Sequence, residues 1–294
     1  GMLQFDGKVI SVKPVLIFAH DVTAESGPIA FDGEIMVQGT VRSGVKMKAT
    51  GHITIHGNVE AANIESLQGE IKIHQGIVGR GEAVLVAMTN ISTKFVENAT
   101  LRAQNDIYIE NGSMHSFLVA GNKIEMIHGK GQLIGGSTMA GKLVAARIVG
   151  TPSGLHTEIS VGLSSKAMKV LSRIDFKRRS LQSGLAKCTP LIENIYKMVT
   201  DPSKLDKGSL QTLSTLKQMQ FILQMKMDKY NARRQKVMAF AAQDTSGTVD
   251  ILDDLQPGVV VRIGNSTLEN KQAGRHRQFA YDLQSKRVIC RGLK

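Results

Sequence analysis

The chain has 294 residues, a formal net charge of +12 and two cysteines, Cys188 and Cys290. It contains no apolar run of membrane-spanning length and no secretory signal, and its cysteines form neither a disulfide framework nor a metal-ligand pattern. These features argue against membrane-spanning and disulfide-rich classes. They predict a cytoplasmic protein that has no membrane span and uses no metal or cofactor.

The positive charge is concentrated in one part of the chain. Residues 1–162 carry 13 Lys and Arg against 14 Asp and Glu, a net charge of −1. Residues 163–245 carry 16 against 6, a net of +10, and residues 246–294 carry 8 against 5, a net of +3. Electrostatic recognition is therefore expected in the middle segment.

Residues 2–32 are interpreted as the start of the repeat described next. Val15–Phe18 is a continuous apolar run, which favours a buried strand. From Gly33 to Gly150 one short pattern recurs about every eighteen residues, a period typical of solenoids. The copies begin with a small or polar residue and continue as an alternating strand: Gly33–Val37, Gly51–Ile55, Gly69–Ile73, Thr89–Ile91, Asn105–Ile109, Gly121–Ile124 and Gly141–Val144.

Within the copies the apolar residues occupy every second position, which places them on one face of a strand. A strand of about three to five residues cannot bury that face alone, whereas stacked copies form one continuous core. We expect a parallel β-helix of about seven or eight rungs, wound to the right because parallel crossovers are right-handed in nearly all proteins. Six isoleucines should stack in its core: Ile53, Ile55, Ile71, Ile73, Ile107 and Ile109.

The repeat is broken at Thr151–Gly154, and Glu158–Gly162 is predicted to be its last short strand. From Ser164 the apolar spacing alternates between three and four, which is typical of a coiled-coil seam. Pro190 should kink or restart the first helix, with Thr189 as a new N-cap. Asp201–Lys204 is interpreted as the turn of a hairpin. The two apolar stripes comprise Leu171, Ile174, Leu181, Leu185, Cys188, Ile192, Ile195 and Val199, then Leu213, Leu216, Leu223, Met227, Tyr230 and Val237.

Strand patterns return after residue 245. Pro257–Gly264 resembles another rung, and Gln278–Tyr281 and Arg287–Cys290 are later strands. The sequence thus predicts a mainly β protein with three domains. Residues 1–162 form the solenoid, residues 163–245 an inserted antiparallel helical hairpin, and residues 246–294 a β segment that returns to the solenoid end.

Several stretches resemble the bacterial flagellar assembly protein A family. They are Gly76–Gly79, Lys94–Ala99, His115-Ser116, Ile148–Gly154, Pro257–Val259 and Ile263–Asn265. The resemblance spans nearly the whole chain, and the order of these motifs around a coiled-coil insertion is more specific than any one of them. It implies a right-handed β-helix with a coiled coil, a role in building or positioning flagella, and no catalytic residue. Members of the family usually carry a further N-terminal domain, which we do not expect within these 294 residues.

Three motifs are better explained by structure than by chemistry. Gly136–Leu143 nearly matches a phosphate-binding loop, but Leu143 stands where that loop needs Ser or Thr, and a repeat strand is expected where it needs a helix. His56 and His74 hold the same position in adjacent rungs, so they should stack about 5 Å apart, although two ligands do not make a metal site. His115 is predicted to be a turn residue.

The basic hairpin is open to three interpretations: a solvated face, a docking surface for an acidic protein, or a surface for nucleic acid or anionic lipid. Aromatic residues are only 4 % of the chain and Trp is absent, which argues against stacking on single-stranded bases. The candidate docking residues are Lys169, Arg173, Lys177, Arg178 and Arg179 on the first helix and Lys226, Lys229, Arg233 and Arg234 on the second. Lys166, Lys187 and Lys236 extend the same basic surface.

These patterns predict a non-enzymatic structural or interaction protein. The solenoid would be a rigid platform, and the basic hairpin would dock a protein partner, preferably an acidic one, or a second copy through the coiled coil. The alternative is a nucleic-acid-binding or nucleic-acid-processing protein that uses the basic hairpin. An enzyme on the solenoid is the weakest interpretation, because Asp106 and Glu110 have no matching acid in the next rung.

Overall fold

The computed structural model describes residues 2–5, 10–198, 207–241 and 245–293. The side chains of residues 2–13 and of several helical residues lie outside that description. The chain sorts into two compact units, Gly1–Ser165 with Ala242–Lys294, and Lys166–Ala241. The first unit begins with an antiparallel pair, β1 (Met2–Phe5) and β2 (Ile10–Lys13). A 3₁₀ turn at Ala24–Ser26 lies between the first two stacked strands.

The first face of the solenoid is a parallel stack in which each strand pairs with the strand of the next repeat. Ile53 pairs with Ile71, Ile55 with Ile73, and Ile91 with Ile107. In chain order its strands are β3 (Val15–Phe18), β5 (Glu34–Val37), β7 (Ile53–Ile55), β9 (Ile71–Ile73), β12 (Ile91–Glu97), β14 (Ile107–Met114), β16 (Lys123–Met126), β19 (Leu143–Val149) and β21 (Thr248–Leu255).

A second parallel stack runs along another face of the same turns. Leu85 pairs with Leu101 and Leu101 with Leu118, so one inward column continues through successive rungs. Its strands are β4 (Ile29–Phe31), β6 (Lys46–Ala49), β8 (Asn63–Ser66), β11 (Val84–Ala87), β13 (Thr100–Ala103), β15 (Phe117–Ala120), β18 (Gly136–Ala140), β20 (Thr157–Val161) and β22 (Val259–Ile263).

A third face closes each turn with very little strand. In the early turns it is a single bridged residue, and Val22, Val41, Val59 and Ile77 stack in sequence. Later turns use β10 (Gly76–Val78), β17 (Gln132–Ile134) and the final residues of β12, β14, β19 and β21. The buried column nevertheless continues, with members that include Val96, Leu133, Val149 and Leu255.

The predicted parallel β-solenoid is confirmed, with about eight turns among the described residues. All six isoleucines named from the repeat are buried and share one core with the columns of the other two faces. The core is continuous because each rung covers the apolar residues of the rung before it.

Close stacking explains why certain corners need glycine or a left-handed residue. A Cβ on Gly57 would lie 2.4 Å from the carbonyl oxygen of Gly39 in the turn before it, too close for any side chain. Asn98 and His115, which each follow a strand of the third face, have φ of 49° and 48°. Gly135 and Gly150 hold the equivalent corners at 62° and 85°. His115 is therefore a turn residue, as predicted.

The strands after residue 245 rejoin the solenoid and then reverse direction. Val144 pairs with Val249 and Ile159 with Val261, both in parallel. Gly247 returns next to the end of β20, since a Cβ on it would lie 2.7 Å from the Gly162 nitrogen. The last strands are antiparallel: β23 (Ser266–Asn270) on β22, β24 (Gly274–Asp282) on β21, and β25 (Arg287–Gly292) on β24. The sequence correctly predicted the rung and both later strands.

One strand is less buried than its sequence suggested. Val15–Phe18 was predicted to be a buried strand, yet Ile17 is 60 % exposed. Leu16 and Phe18 are only partly buried against the core. β3 starts the stack, and among the described strands it pairs with β5 alone. Its side chains alternate like those of the other rungs. A continuous apolar run had masked that alternation.

The second unit consists of two long helices, α1 (Ser165–Met198) and α2 (Lys207–Ala241). A kink or a restart was predicted at Pro190, and the restart is wrong, because α1 runs through this residue. Thr189 is not an N-cap, since its hydroxyl donates to the Leu185 carbonyl over 3.0 Å within the same helix. The predicted turn at Asp201–Lys204 and the seam residue Val199 lie outside the described residues.

Contacts between the helices follow an antiparallel order. Asp175 meets Arg234 and Thr189 meets Gln220, so the residue number rises on α1 as it falls on α2. Between these contacts, a Cβ on Gly184 would lie 3.2 Å from Leu223. The apolar stripes predicted from the sequence lie on the inner sides of the two helices. Their most buried members are Leu171, Ile174, Cys188, Ile192 and Leu213.

Candidate docking surface

The basic residues predicted to meet a partner fall into two groups. Arg173 and Lys177 on α1 are exposed, as are Lys226, Lys229 and Arg233 on α2. The side chains of two further candidates, Lys169 and Arg179, lie outside the described residues.

The remaining two candidates face inward. Asp175 on α1 is buried, and its Oδ1 accepts from Arg178 Nη1 at 2.9 Å and from Arg234 Nε at 3.0 Å. Arg178 also donates from Nε to Asn231 Oδ1 at 2.7 Å. Both arginines therefore hold α1 and α2 together, so a docking surface depends on their exposed neighbours.

Sequence reasoning did not single out Asp175, although it left a clue. Arg178 and Arg234 are the two charged residues that interrupt the apolar stripes of the helices. A cation in a buried seam requires an anion beside it, because an unpaired buried charge is costly. Asp175 is the acid three residues before Arg178. The presence of Arg178 and Arg234 in the apolar stripes therefore indicated that Asp175 would be their buried partner.

The same contacts align the turns of the two helices that carry exposed cations. Arg178 reaches Asn231, which lies between Lys229 and Arg233 on α2. The turn of α1 that carries Arg173 and Lys177 therefore lies beside the turn of α2 that carries Lys229 and Arg233. Several exposed cations in one region attract an anionic surface, and they repel each other in its absence.

The solenoid carries its own polar ladder on the outside of the first face. The rings of His56 and His74 stack with centroids 4.6 Å apart and planes 2° from parallel, which confirms the predicted stacking. Desolvation lowers the pKa of His74, and the nearby charges of His56, Lys72 and Lys94 lower it further. Among the described residues, no group of three or more His, Cys, Asp or Glu is placed to hold a metal.

An open groove of about 470 Å³ lies next to this ladder. Lys72, His74 and Lys94 line one end, whereas Glu110 and Glu125 line the other. Tyr108, on the same strand as Glu110, also lines the groove, and its hydroxyl donates to Asp106 over 3.2 Å. The charged residues of the groove come from surface positions of successive rungs, and Glu125 is paired with Lys123 at 3.0 Å.

A second ladder links three turns of the solenoid. Arg42 donates to Asp21 at 2.7 Å and to Glu60 at 2.8 Å. The pKa of Asp21 is lowered, first by the backbone N–H of Thr40 and then by Arg42. The pKa of Glu60 is lowered, first by Arg42 and then by Ser43. Since all of these groups bond between rungs, they stabilise the stack itself.

The match to known families spans both units. The family model described as "Flagellar Assembly Protein A beta solenoid domain" matches residues 14–284. The chain belongs to the Flagellar Assembly Protein A family. Neither a curated protein nor a solved structure matches the chain.

The matched span of this Flagellar Assembly Protein A family member starts just before β3 and runs past the end of β24. Both helices and the return of the chain through β21 and β22 therefore fall inside it. In the part of the chain that the structure describes, neither helix is both long and apolar enough to cross a membrane.

The near-match to a phosphate-binding loop is part of the solenoid of this family member. Gly136–Ala140 is the strand β18, and the strand β19 begins at Leu143. A Cβ on Gly136 would lie 2.1 Å from the Ser116 carbonyl oxygen of the rung before it. The glycine is needed for rung stacking, and the segment lacks the helix start that phosphate binding requires.

Proposed function

We propose that this protein is a non-enzymatic platform in bacterial flagellar assembly or positioning, which docks an acidic protein through its helix pair. Membership of the Flagellar Assembly Protein A family is the observation that carries the proposal. It places the chain among assembly proteins, and assembly depends on protein–protein contacts. A cytoplasmic location and a bacterial origin are parts of the same proposal.

The solenoid suits a rigid platform. Its three buried columns share one core and its strands pair through every turn, so no rung can move without disturbing its neighbours. Ladders such as Asp21–Arg42–Glu60 add bonds between rungs at the surface. We propose right-handed winding on the general preference of parallel crossovers.

The helix pair suits a docking arm. We propose that α1 and α2 form a coiled-coil hairpin, on the basis of the inner apolar stripe and the opposite order of their contacts. The exposed cations near the Asp175 contact would meet carboxylates of the partner. Such pairs set specificity and the association rate, and they weaken as salt rises.

The first experiment asks whether the exposed cations of the arm capture flagellar proteins. The tagged full chain and the variant Lys226→Glu/Lys229→Glu are used as baits in lysate of a flagellated host, and captured proteins are identified by mass spectrometry. The control, Lys46→Glu/Lys130→Glu, makes the same charge change on exposed solenoid lysines. We expect the helix variant to lose an acidic flagellar protein that wild type and control retain. Equal capture by all three would contradict the docking role.

The alternative, binding of nucleic acid by the same cations, has a separate test. Each neutralised phosphate releases counterions, so the affinity for DNA or RNA should fall steeply with salt. A gel-shift series from low to moderate salt, with duplex DNA, single-stranded DNA and RNA, measures this. No shift at low salt would remove the alternative, whereas a steep salt-dependent shift abolished by Lys226→Glu/Lys229→Glu would replace the protein-docking proposal.

A further inference from the structure

The second helix exposes an unusual number of large apolar side chains. Phe221 is 65 % exposed, Met225 59 %, Ile222 50 % and Leu210 47 %. We call these four residues the outer apolar patch. Clustered exposed apolar residues on a protein surface commonly mark an interaction site, whereas scattered single ones do not.

Helix geometry places the outer apolar patch away from α1. At about 3.6 residues per turn, Leu210 and Phe221 are three turns apart and Phe221 and Met225 about one, so they lie along one side of α2. Phe221 and Met225 are each two positions from Leu223, or about 200° around the helix. Leu223 faces α1, where it packs against Gly184. Leu210, Phe221 and Met225 are therefore on the side of α2 that α1 does not cover, and Ile222, about 100° from Leu223, lies at the edge of that side.

Charge along α2 indicates which kind of partner fits. Between residues 208 and 225 the only charged residue is Lys217. Between residues 226 and 236 the charged residues are Lys226, Asp228, Lys229, Arg233, Arg234 and Lys236. An acidic protein would be drawn to the second segment and would gain little from the first. The outer apolar patch suits a surface that is apolar and nearly uncharged, and another α2 offers such a surface.

We propose that α2 binds α2 of a second copy of this chain, antiparallel and centred on Ile222. In that arrangement Lys226, Lys229 and Arg233 lie against the nearly uncharged first half of the other α2. In a parallel arrangement Lys226, Lys229 and Arg233 would each lie against the same residue of the second copy, and these like charges would repel each other. The proposal does not rest on the docking of an acidic protein, because it is argued from the exposed apolar residues of α2 and not from its cations.

Cross-linking tests the arrangement directly. In a Cys290→Ser background, which removes the exposed cysteine and leaves the buried Cys188, Ile222→Cys and Leu210→Cys are oxidised mildly at low micromolar concentration. An antiparallel pair centred on Ile222 brings the cysteines introduced at position 222 of the two copies together, within the reach of a disulfide. It separates the two Leu210 positions by about 36 Å at 1.5 Å per residue. We expect a disulfide-linked dimer from Ile222→Cys and monomer from Leu210→Cys.

Light scattering after gel filtration tests the dimer without cross-linking. The full chain should elute as a dimer, and Phe221→Ser/Met225→Ser as a monomer with unchanged helical circular dichroism. Met225→Glu, which leaves Phe221 in place, should weaken the dimer at least tenfold and serves if the double variant misfolds. Leu283→Ser, which changes an exposed apolar residue outside α2, should stay dimeric. A monomeric wild type would overturn the proposal, and so would cross-linking through both Ile222→Cys and Leu210→Cys.

Discussion

Arg234 on α2 donates to Asp175 on α1 over 3.0 Å, and this bond joins residues that are 59 positions apart in the chain. Asp175 is buried, and Arg178 and Arg234 share its Oδ1. A buried acid with two cationic partners fixes how two helices align, because any shift along the seam would leave a charge unpaired.

Removing that acid should destabilise the helix pair. Asp175→Ala leaves Arg178 and Arg234 beside an apolar seam without an anion, and breaking a buried pair costs roughly 3 kcal/mol. Urea unfolding followed by helical circular dichroism should show an earlier loss of helix. Asp228→Ala is the matched control, since Asp228 is exposed and accepts from Gln224 on the same helix. An equal effect of the two substitutions would argue against the role of Asp175.

The core of the solenoid should respond strongly to the loss of one isoleucine. Ile71 is buried and pairs with Ile53 on one side and Ile91 on the other. Ile71→Ala opens a cavity between rungs, which costs about 3 kcal/mol in comparable cores. Lys72→Ala changes the exposed neighbour on the same strand and should cost less than about 0.5 kcal/mol. Thermal melts of both variants measure the difference, and a silent Ile71→Ala would contradict the shared core.

Acid should weaken the solenoid partly through His74. Its pKa lies below the ordinary 6.5, mainly because of desolvation, so the folded state binds fewer protons than the unfolded state. Stability is therefore unaffected well above pH 6.5 and falls as the pH drops from there through the pKa of folded His74. In melts from neutral to mildly acidic pH, wild type should lose more stability than His74→Gln, and NMR titration of the ring gives the pKa directly. His156→Gln, at an exposed site, should retain the wild-type pH profile.

The solenoid should fold without the helices. Replacing Lys166–Ala241 with a short Gly/Ser linker keeps the two strand pairings that join the segments before and after the helices. These are β19 with β21, which includes Val144–Val249, and β20 with β22, which includes Ile159–Val261. Gly162 and Gly247 are already neighbours, so closing the short loop costs only a few kcal/mol. Circular dichroism should show a cooperative β transition.

Truncation after residue 163 provides the contrast. It also removes β21 and β22, which exposes the apolar residues of the last rung, and should cause aggregation. A linker variant that aggregates like the truncated chain would show that the core needs the helices.

The sequence was sufficient where the signal is local and repeats. Alternation within each copy predicted the inward isoleucines, and the period of about eighteen predicted parallel stacking. The equivalent positions of His56 and His74 predicted the ring stack now measured at 4.6 Å. The basic segment was likewise visible from composition, although not which of its cations are exposed.

Sequence patterns did not predict other features of the fold. The third face begins as single bridged residues. One valine per turn shows no alternation of apolar and polar residues, which is the sequence signal of a strand. Val15–Phe18 has the composition of a buried strand, and only its place at the start of the stack leaves Ile17 exposed. Pro190 suggested a kink or a restart, yet α1 continues through it, because packing against α2 can offset one lost backbone hydrogen bond.

The sequence by itself determined the β-solenoid, its inward residues and the position of a basic helical insertion, because alternation and repeat length are properties of neighbouring residues. Only the tertiary structure decided that Arg178 and Arg234 turn inward to Asp175 while Lys226, Lys229 and Arg233 remain exposed. The interruptions at Arg178 and Arg234 placed these two arginines within the apolar stripes, but the stripes do not show which turn of one helix lies beside which turn of the other. That alignment is fixed by residues far apart in the chain, as the 59 positions between Asp175 and Arg234 show.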